Sequence, residues 1–327
     1  MRLHPLERPE TRLNPAAGAS RTLAWKLKLD PVMMKGPVET NEKASPEVDA
    51  LLESVCSLAP AAPIVSELSH ALADINTDAR VIGEMISFDP ILTAKLLRIC
   101  NSAFLAPGSR ITTVSQAVTR LGFPATRRVV MMVLLVERLK ALPRGDGFDS
   151  RTQWCHSVTT AFAAQFLAEQ LGMDVGTLFT AGLMHDLGKL VLAAAFRGRY
   201  AVLVNMPQGK GCPLTAMENE RLGISHPEAG ARLLERWASP AAMVSSVRYH
   251  HDPAAAAVDA PMAACLQMAD ALAYAYMDGV EACSVPESDW PPALHTLGLA
   301  KGDLQGYLDK IAENFQVVEA LFGLHPG

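Results

Sequence analysis

Between Ala181 and Leu192 the chain reads AGLMHDLGKLVL, with the pair His185-Asp186 in the middle. The flanking residues are apolar enough for a helix buried on most faces, so a carboxylate is carried into the interior with them. A buried carboxylate is costly unless it is paired, hydrogen-bonded or bound to a metal. The fold must therefore deliver a counter-charge to Asp186. Lys189, one turn from His185, is the plain structural candidate. A metal ion held by imidazoles is the other. Adjacent helical positions diverge by roughly 100°, so His185 and Asp186 reach one ion only where neighbouring helices close around them. Gly188 would let another backbone come near.

The rest of the chain reads as helix. Half of its residues are apolar and 6% aromatic, and the apolar set is rich in Ala, Leu and Met, which favours helix over strand. Alternating β-branched runs are nearly absent, and no fixed-period repeat is visible. The expected class is all-α. Helices are predicted over 78–87, from the capping pair Asp89-Pro90 onward, and over 114–121, 125–139, 151–171, 175–195, 197–206, 226–238, 240–251, 259–278 and 303–322. The segment Leu142 to Asp149 is the expected loop between halves. The expected divisions are a flexible tail over 1–45, a helical half over 46–145, a second half over 150–285 and a helical extension over 286–327.

Charge and cysteine usage narrow the function classes. The net charge is -5 with 19% charged residues, which provides no basic footprint for nucleic acid; Arg127-Arg128 reads as a solvated helix face. The six cysteines include no C-x-x-C pair, a reduced cytoplasmic pattern. Met1 to Lys28 lacks the apolar stretch of a signal peptide. No run approaches the ~18 apolar residues of a membrane span, and Val129 to Val136, soon followed by Glu137 and Arg138, reads as a core helix. A cytoplasmic protein without membrane or nucleic-acid partners is expected.

Further histidines surround the central pair in sequence. His156 opens a helix with Val158, Phe162, Phe166 and Leu167 on its apolar face, where a lone histidine is more often a capping or surface residue. His226 follows Ser225 and precedes Glu228, the pattern of a capping box. His250-His251 ends a helix, a position favoured by the helix dipole. Asp270 is a second carboxylate inside an apolar helix. Singly, each has a bland explanation. Together, two buried aspartates among imidazoles make the ligand set that Fe, Mn, Zn or Ni prefers, and an ion so held can activate water for hydrolysis.

Over roughly residues 50 to 275 the chain resembles the bacterial HDOD branch of the HD superfamily of metal-dependent phosphohydrolases. The resemblance is carried by Asp89 to Leu97, Asn101-Ser102-Ala103, Ile111, Ala117 and Leu121-Gly122 in the first half. In the second half it is carried by Ala181 to Lys189, Glu218, Gly223, His226 to Ala231, Trp237, Pro240 and His250 to Pro253. It implies an N-terminal helical subdomain packed on an HD-like one. It also implies His156, His185, Asp186 and Asp270 as primary metal ligands, with His226, His250 and His251 completing a second position: one or two divalent ions. The related HD-GYP enzymes cleave cyclic di-GMP, but their Gly-Tyr-Pro motif is missing after His250-His251, where Asp252-Pro253-Ala254-Ala255 stands. The resemblance thus implies a regulatory signal-transduction module, non-catalytic, with protein partners and a nucleotide or phosphate as ligand. The alternative is a metal-dependent phosphohydrolase of a nucleotide or other phosphate ester, with Lys189 as its phosphate or carboxylate partner.

Overall fold

The computed structural model describes residues 79–87, 93, 96–97, 111–123, 126, 130, 149–196, 198–206, 213–237 and 239–322. The tail over 1–45, the start at Asp89-Pro90, the apolar run Val129 to Val136 and most of the loop over 142–149 lie outside the described residues. Among those described, every regular element is helical and none is a strand. In chain order these are α1 (Ala79–Ser87), α2 (114–123), α3 (Ser150–Leu171), α4 (Val175–Met184), α5 (Leu187–Phe196), α6 (Gly198–Asn205) and α7 (Leu214–Leu222). After them come α8 (His226–Arg236), α9 (Ala241–Arg248), α10 (Ala260–Met277), α11 (Ala293–Thr296) and α12 (Leu304–Phe322). The fold is all-α.

Helix α3 is the axis of the second half. Asp149 caps it: its side chain accepts from the backbone N–H of Arg151 at 3.0 Å, and Gly172 ends it in the left-handed region at φ 65°. Sequence periodicity suggested one apolar face, but α3 is buried almost all round from Trp154 to Ala168, Gln165 excepted. The reason is that α4, α10 and α12 all pack on it. His156 consequently lies on the second turn of a central helix, rather than at an exposed start.

The helix expected over 175–195 is two helices. The chain leaves α4 at Met184, turns through His185-Asp186 and re-enters helix at Leu187. The Lys189 N–H bonds to the carbonyl of Asp186 at 2.9 Å, a tighter i→i−3 turn than α-helix. Together Val175–Phe196 is the one stretch among the described residues long and apolar enough to cross a membrane. It runs 22 residues at mean hydropathy 1.3, and 83% of its most apolar window is buried inside the protein. His185, Asp186 and Lys189 interrupt it, so it contains no unbroken apolar run of spanning length.

Helix α5 packs on α8 closely enough that only glycine fits at the crossing. A Cβ on Gly188 would fall 1.8 Å from the carbonyl oxygen of His226 and 2.7 Å from the backbone nitrogen of Gly230. Gly182, on α4, is also tight: its Cβ would lie 2.8 Å from the Cα of Ala161 on α3. Both contacts are with backbone, which cannot swing aside.

Three glycine-to-alanine variants should separate this constraint from helix propensity. Gly188→Ala should destabilise the fold by about 3 kcal/mol, the upper range for overpacking, with Gly182→Ala in the same direction. Gly302→Ala, where a Cβ meets nothing within 4 Å, should stay within about 0.5 kcal/mol of wild type. Chemical denaturation of the three proteins measures this. Equal effects at Gly188 and Gly302 would remove the packing argument.

Candidate metal centre

Six segments converge on one point. His156 comes from α3, His185 and Asp186 from the α4–α5 turn, and Lys189 from α5. His226 is the first residue of α8, His250 and His251 occupy the turn after α9, and Asp270 lies on α10. The buried apolar body of these helices sets the site's depth. Asp186 is 1% exposed, His185 and His250 are fully enclosed, and Asp270 is 9% exposed; only His251 is half-buried.

The ligand atoms lie within a few ångströms of one another. His156 Nε2 is 2.8 Å from Asp270 Oδ1, 3.3 Å from His185 Nε2 and 3.5 Å from Asp186 Oδ2. His185 Nε2 is 3.3 Å from Asp186 Oδ2 and 3.4 Å from Asp270 Oδ1. On the other side of Asp186, Oδ1 lies 3.3 Å from His226 Nε2 and 4.0 Å from His250 Nε2, and His226 Nε2 is 3.1 Å from His251 Nε2. Three ligand-like triads result: His156 with His185 and Asp270, His185 with Asp186 and His250, and His226 with His250 and His251. Ligands about 2.0–2.2 Å from a common ion are themselves spaced in this range.

The ring orientations are fixed from outside the cluster. His185 Nδ1 is 2.8 Å from the carbonyl of Gly182, His250 Nδ1 is 2.7 Å from the carbonyl of Val247, and His226 Nδ1 is 2.7 Å from Glu218 Oε2. Carbonyl and carboxylate oxygens only accept, so each Nδ1 carries a hydrogen and donates. Each Nε2 is thereby aimed inward, the arrangement that metal-bound histidines adopt. Asp186 Oδ1, His250 Nε2 and Asp270 Oδ1 are buried and make no hydrogen bond despite their close neighbours. Buried polar atoms are rarely left so, and cations held by the triads these atoms belong to would satisfy them. The donor set of imidazoles and carboxylates fits a divalent transition metal.

The lysine partner expected for Asp186 is found at one carboxylate oxygen, and imidazoles face the other. Oδ2 accepts from Lys189 Nζ at 2.6 Å and from Gln153 Nε2 at 2.9 Å, while Oδ1 faces His226 and His250. Burial alone would raise the Asp186 carboxyl, but His185 and Lys189 hold it well below the usual range. Asp270 is likewise opposed by burial and held low by His156 and His185. Burial pushes His185 down, yet Asp186 and Asp270 outweigh it and lift it to about 10. A proton and a metal ion therefore compete for His185 Nε2. Burial lowers His156, takes His250 well below its ordinary value, and brings His251 to about 4 with His226 beside it.

Some features were not read from the sequence. The expected capping box at Ser225 does not form: Ser225 is the N-cap, but its side chain makes no cap bond. Glu228 instead accepts from Arg232 at 2.7 Å and Arg248 at 2.8 Å. The backbone N–H of His226 goes to Glu218 at 2.8 Å, on a helix, α7, absent from the expected set. Gln153 and Tyr274 were also missed. Both follow from helical spacing, three residues before His156 and four after Asp270, and the Tyr274 ring lies 4.4 Å from that of His156.

A helical protein with a buried His/Asp centre is the class defined by this geometry. The chain belongs to the HDOD family: the HDOD domain matches residues 58–253, more than half of its length. The chain is similar in structure to a candidate phosphohydrolase from Shewanella amazonensis SB2B, at TM-score 0.64 and 27% identity over 84% of this chain and 98% of that one. An HDOD domain protein of unknown function from Geobacter sulfurreducens shares the fold at TM-score 0.65 and 22% identity, over 85% of this chain and 99% of that one. In sequence, an uncharacterised protein of Treponema pallidum (strain Nichols) is 27% identical over 57% of this chain and 36% of its own length. The chain thus spans about a third of that relative.

The Lys189–Asp186 pair makes a stability prediction. Lys189→Met in chelator leaves Asp186 buried beside Gln153 without its ammonium partner, and should cost about 3–5 kcal/mol. Added Mn²⁺ should recover part of that loss, read as the shift of the thermal midpoint. A variant as stable as wild type in chelator would show that the pair carries no weight.

Proposed function

We propose that this HDOD domain is a signal-transduction module whose His/Asp centre holds one or two divalent transition-metal ions, Fe, Mn, Zn or Ni, and acts in binding or regulation rather than turnover. The observation that carries the reading is the set of Nδ1–H donors tied back to Gly182, Val247 and Glu218, leaving three Nε2 atoms aimed at two aspartates. His156, His185, Asp186 and Asp270 would hold one ion, and His226, His250 and His251, with the other oxygen of Asp186, a second. When bound, such an ion polarises a phosphate oxygen or a water. The protein's own groups fix the imidazoles, exclude bulk water and restrain Asp186 through Lys189 and Gln153.

The regulatory reading is favoured over catalysis by the state of Lys189. The side chain that would serve as a phosphate partner in a hydrolase is here buried and held by Asp186. Protein partners in a signalling pathway, and a nucleotide or phosphate ligand reaching the half-buried His251 side, complete the proposal.

The second reading, a metal-dependent phosphohydrolase, is favoured by the 27% identity to the Shewanella candidate phosphohydrolase over nearly its whole length. In that case Lys189 exchanges Asp186 for substrate phosphate.

Elemental analysis of protein purified without chelator or nickel resin tests the common premise. About one or two equivalents of Fe, Mn or Zn are expected, and His185→Ala and Asp186→Ala should lose them. A metal-free wild type that also takes up none on dialysis would overturn both readings. Turnover of nucleotides or p-nitrophenyl phosphates by the loaded protein, abolished in Asp186→Ala, would select the second.

A further inference from the structure

Glu218 is buried completely and takes no place among the metal-facing atoms, yet it makes three hydrogen bonds. Its Oε2 accepts from the backbone N–H of His226 at 2.8 Å and from His226 Nδ1 at 2.7 Å; its Oε1 accepts from the Tyr200 hydroxyl at 2.7 Å. Tyr200 is itself fully buried, on α6. Two helices that contribute no ligand therefore place a carboxylate behind one histidine.

The other fixed imidazoles are held differently. His185 and His250 donate to carbonyls three residues earlier in their own turns, so local backbone sets their tautomers. His226 has no such acceptor. It opens α8, and the acceptor at its Nδ1 among the described residues comes from α7, eight residues earlier in sequence. A carboxylate behind an imidazole also makes its far nitrogen a stronger donor than a carbonyl does.

The geometry points to Glu218 and Tyr200 as a positioning pair that defines the second metal position. Tyr200 holds the carboxylate, and Glu218 fixes His226 in its Nδ1–H form and turns Nε2 toward Asp186 Oδ1 and His251. The position formed by His156, His185 and Asp270 does not depend on this pair. The inference rests on the metal reading above for its consequence, and on hydrogen-bond geometry alone for the tautomer.

Two measurements test it separately. Long-range ¹H–¹⁵N spectra of the metal-free wild type should show His226 protonated at Nδ1; protonation at Nε2 overturns the proposal whether or not metal binds. Calorimetric titration with Mn²⁺ should resolve two equivalents. Glu218→Met, which keeps the volume but removes the acceptor, should weaken one of them by about 10–100-fold and leave the other unchanged. Tyr200→Phe should weaken the same equivalent, to a smaller extent. Glu218→Gln, which can still accept from His226, should restore much of it. Equal weakening of both equivalents, or no weakening in either Glu218→Met or Tyr200→Phe, overturns the assignment. A wild type that binds no Mn²⁺ removes the metal reading instead, and the tautomer then decides the clamp by itself.

Discussion

The carboxylate of Asp186 lies between two apolar helices at 1% exposure, and the architecture around it answers the electrostatic cost of that placement. Several kcal/mol oppose an ionised group in such a medium. Lys189 and Gln153 meet one oxygen; His226 and His250 approach the other. These partners come from α3, α5, the start of α8 and the turn after α9, so four separate packing decisions serve a single negative charge. Asp270, on α10, adds a second charge and draws His156 and His185 toward it. The helices are arranged as a shell around two carboxylates, and the apolar core fills in behind them.

Backbone contact makes this convergence feasible. His226 reaches Asp186 because α8 can lie against α5 with its first carbonyl over Gly188, where any side chain would collide. Moving α8 outward by the thickness of a methyl group would withdraw His226 Nε2 from Asp186 Oδ1, now 3.3 Å away. The break between α4 and α5 serves the same end from the opposite side. By tightening to an i→i−3 turn, the chain alters the fan of side chains that a continuous helix would give, so that His185 and Asp186 face a common centre.

The all-helical class was legible in the sequence because it depends on residue type, and so was the need of Asp186 for a partner. The full His/Asp set was named there through the family resemblance. Apolar spacing reports helix, and a charged pair in an apolar run reports an internal partner. What could not be read depends on distant groups. The residues from Val175 to Phe196 contain no proline and no glycine at the break, so nothing local marks the turn at His185-Asp186. Ser225 and Glu228 have the spacing of a capping box, but Arg232 and Arg248 draw the Glu228 carboxylate away. Glu218 stood among the residues that carry the family resemblance without a role attached to it. Its role is invisible until α7 is laid beside α8.

Asp270 lies on α10, beyond the last residue matched to the HDOD domain at 253. Its helix runs along α3, which carries His156 and forms the first side of the centre. During synthesis, then, the histidines and Asp186 emerge well before the carboxylate that closes the site. Until α10 arrives, His156 and His185 lack one of their two carboxylate neighbours. Asp270 is thus the last of the clustered His and Asp side chains to be synthesised, and the cluster cannot close before α10 has left the ribosome.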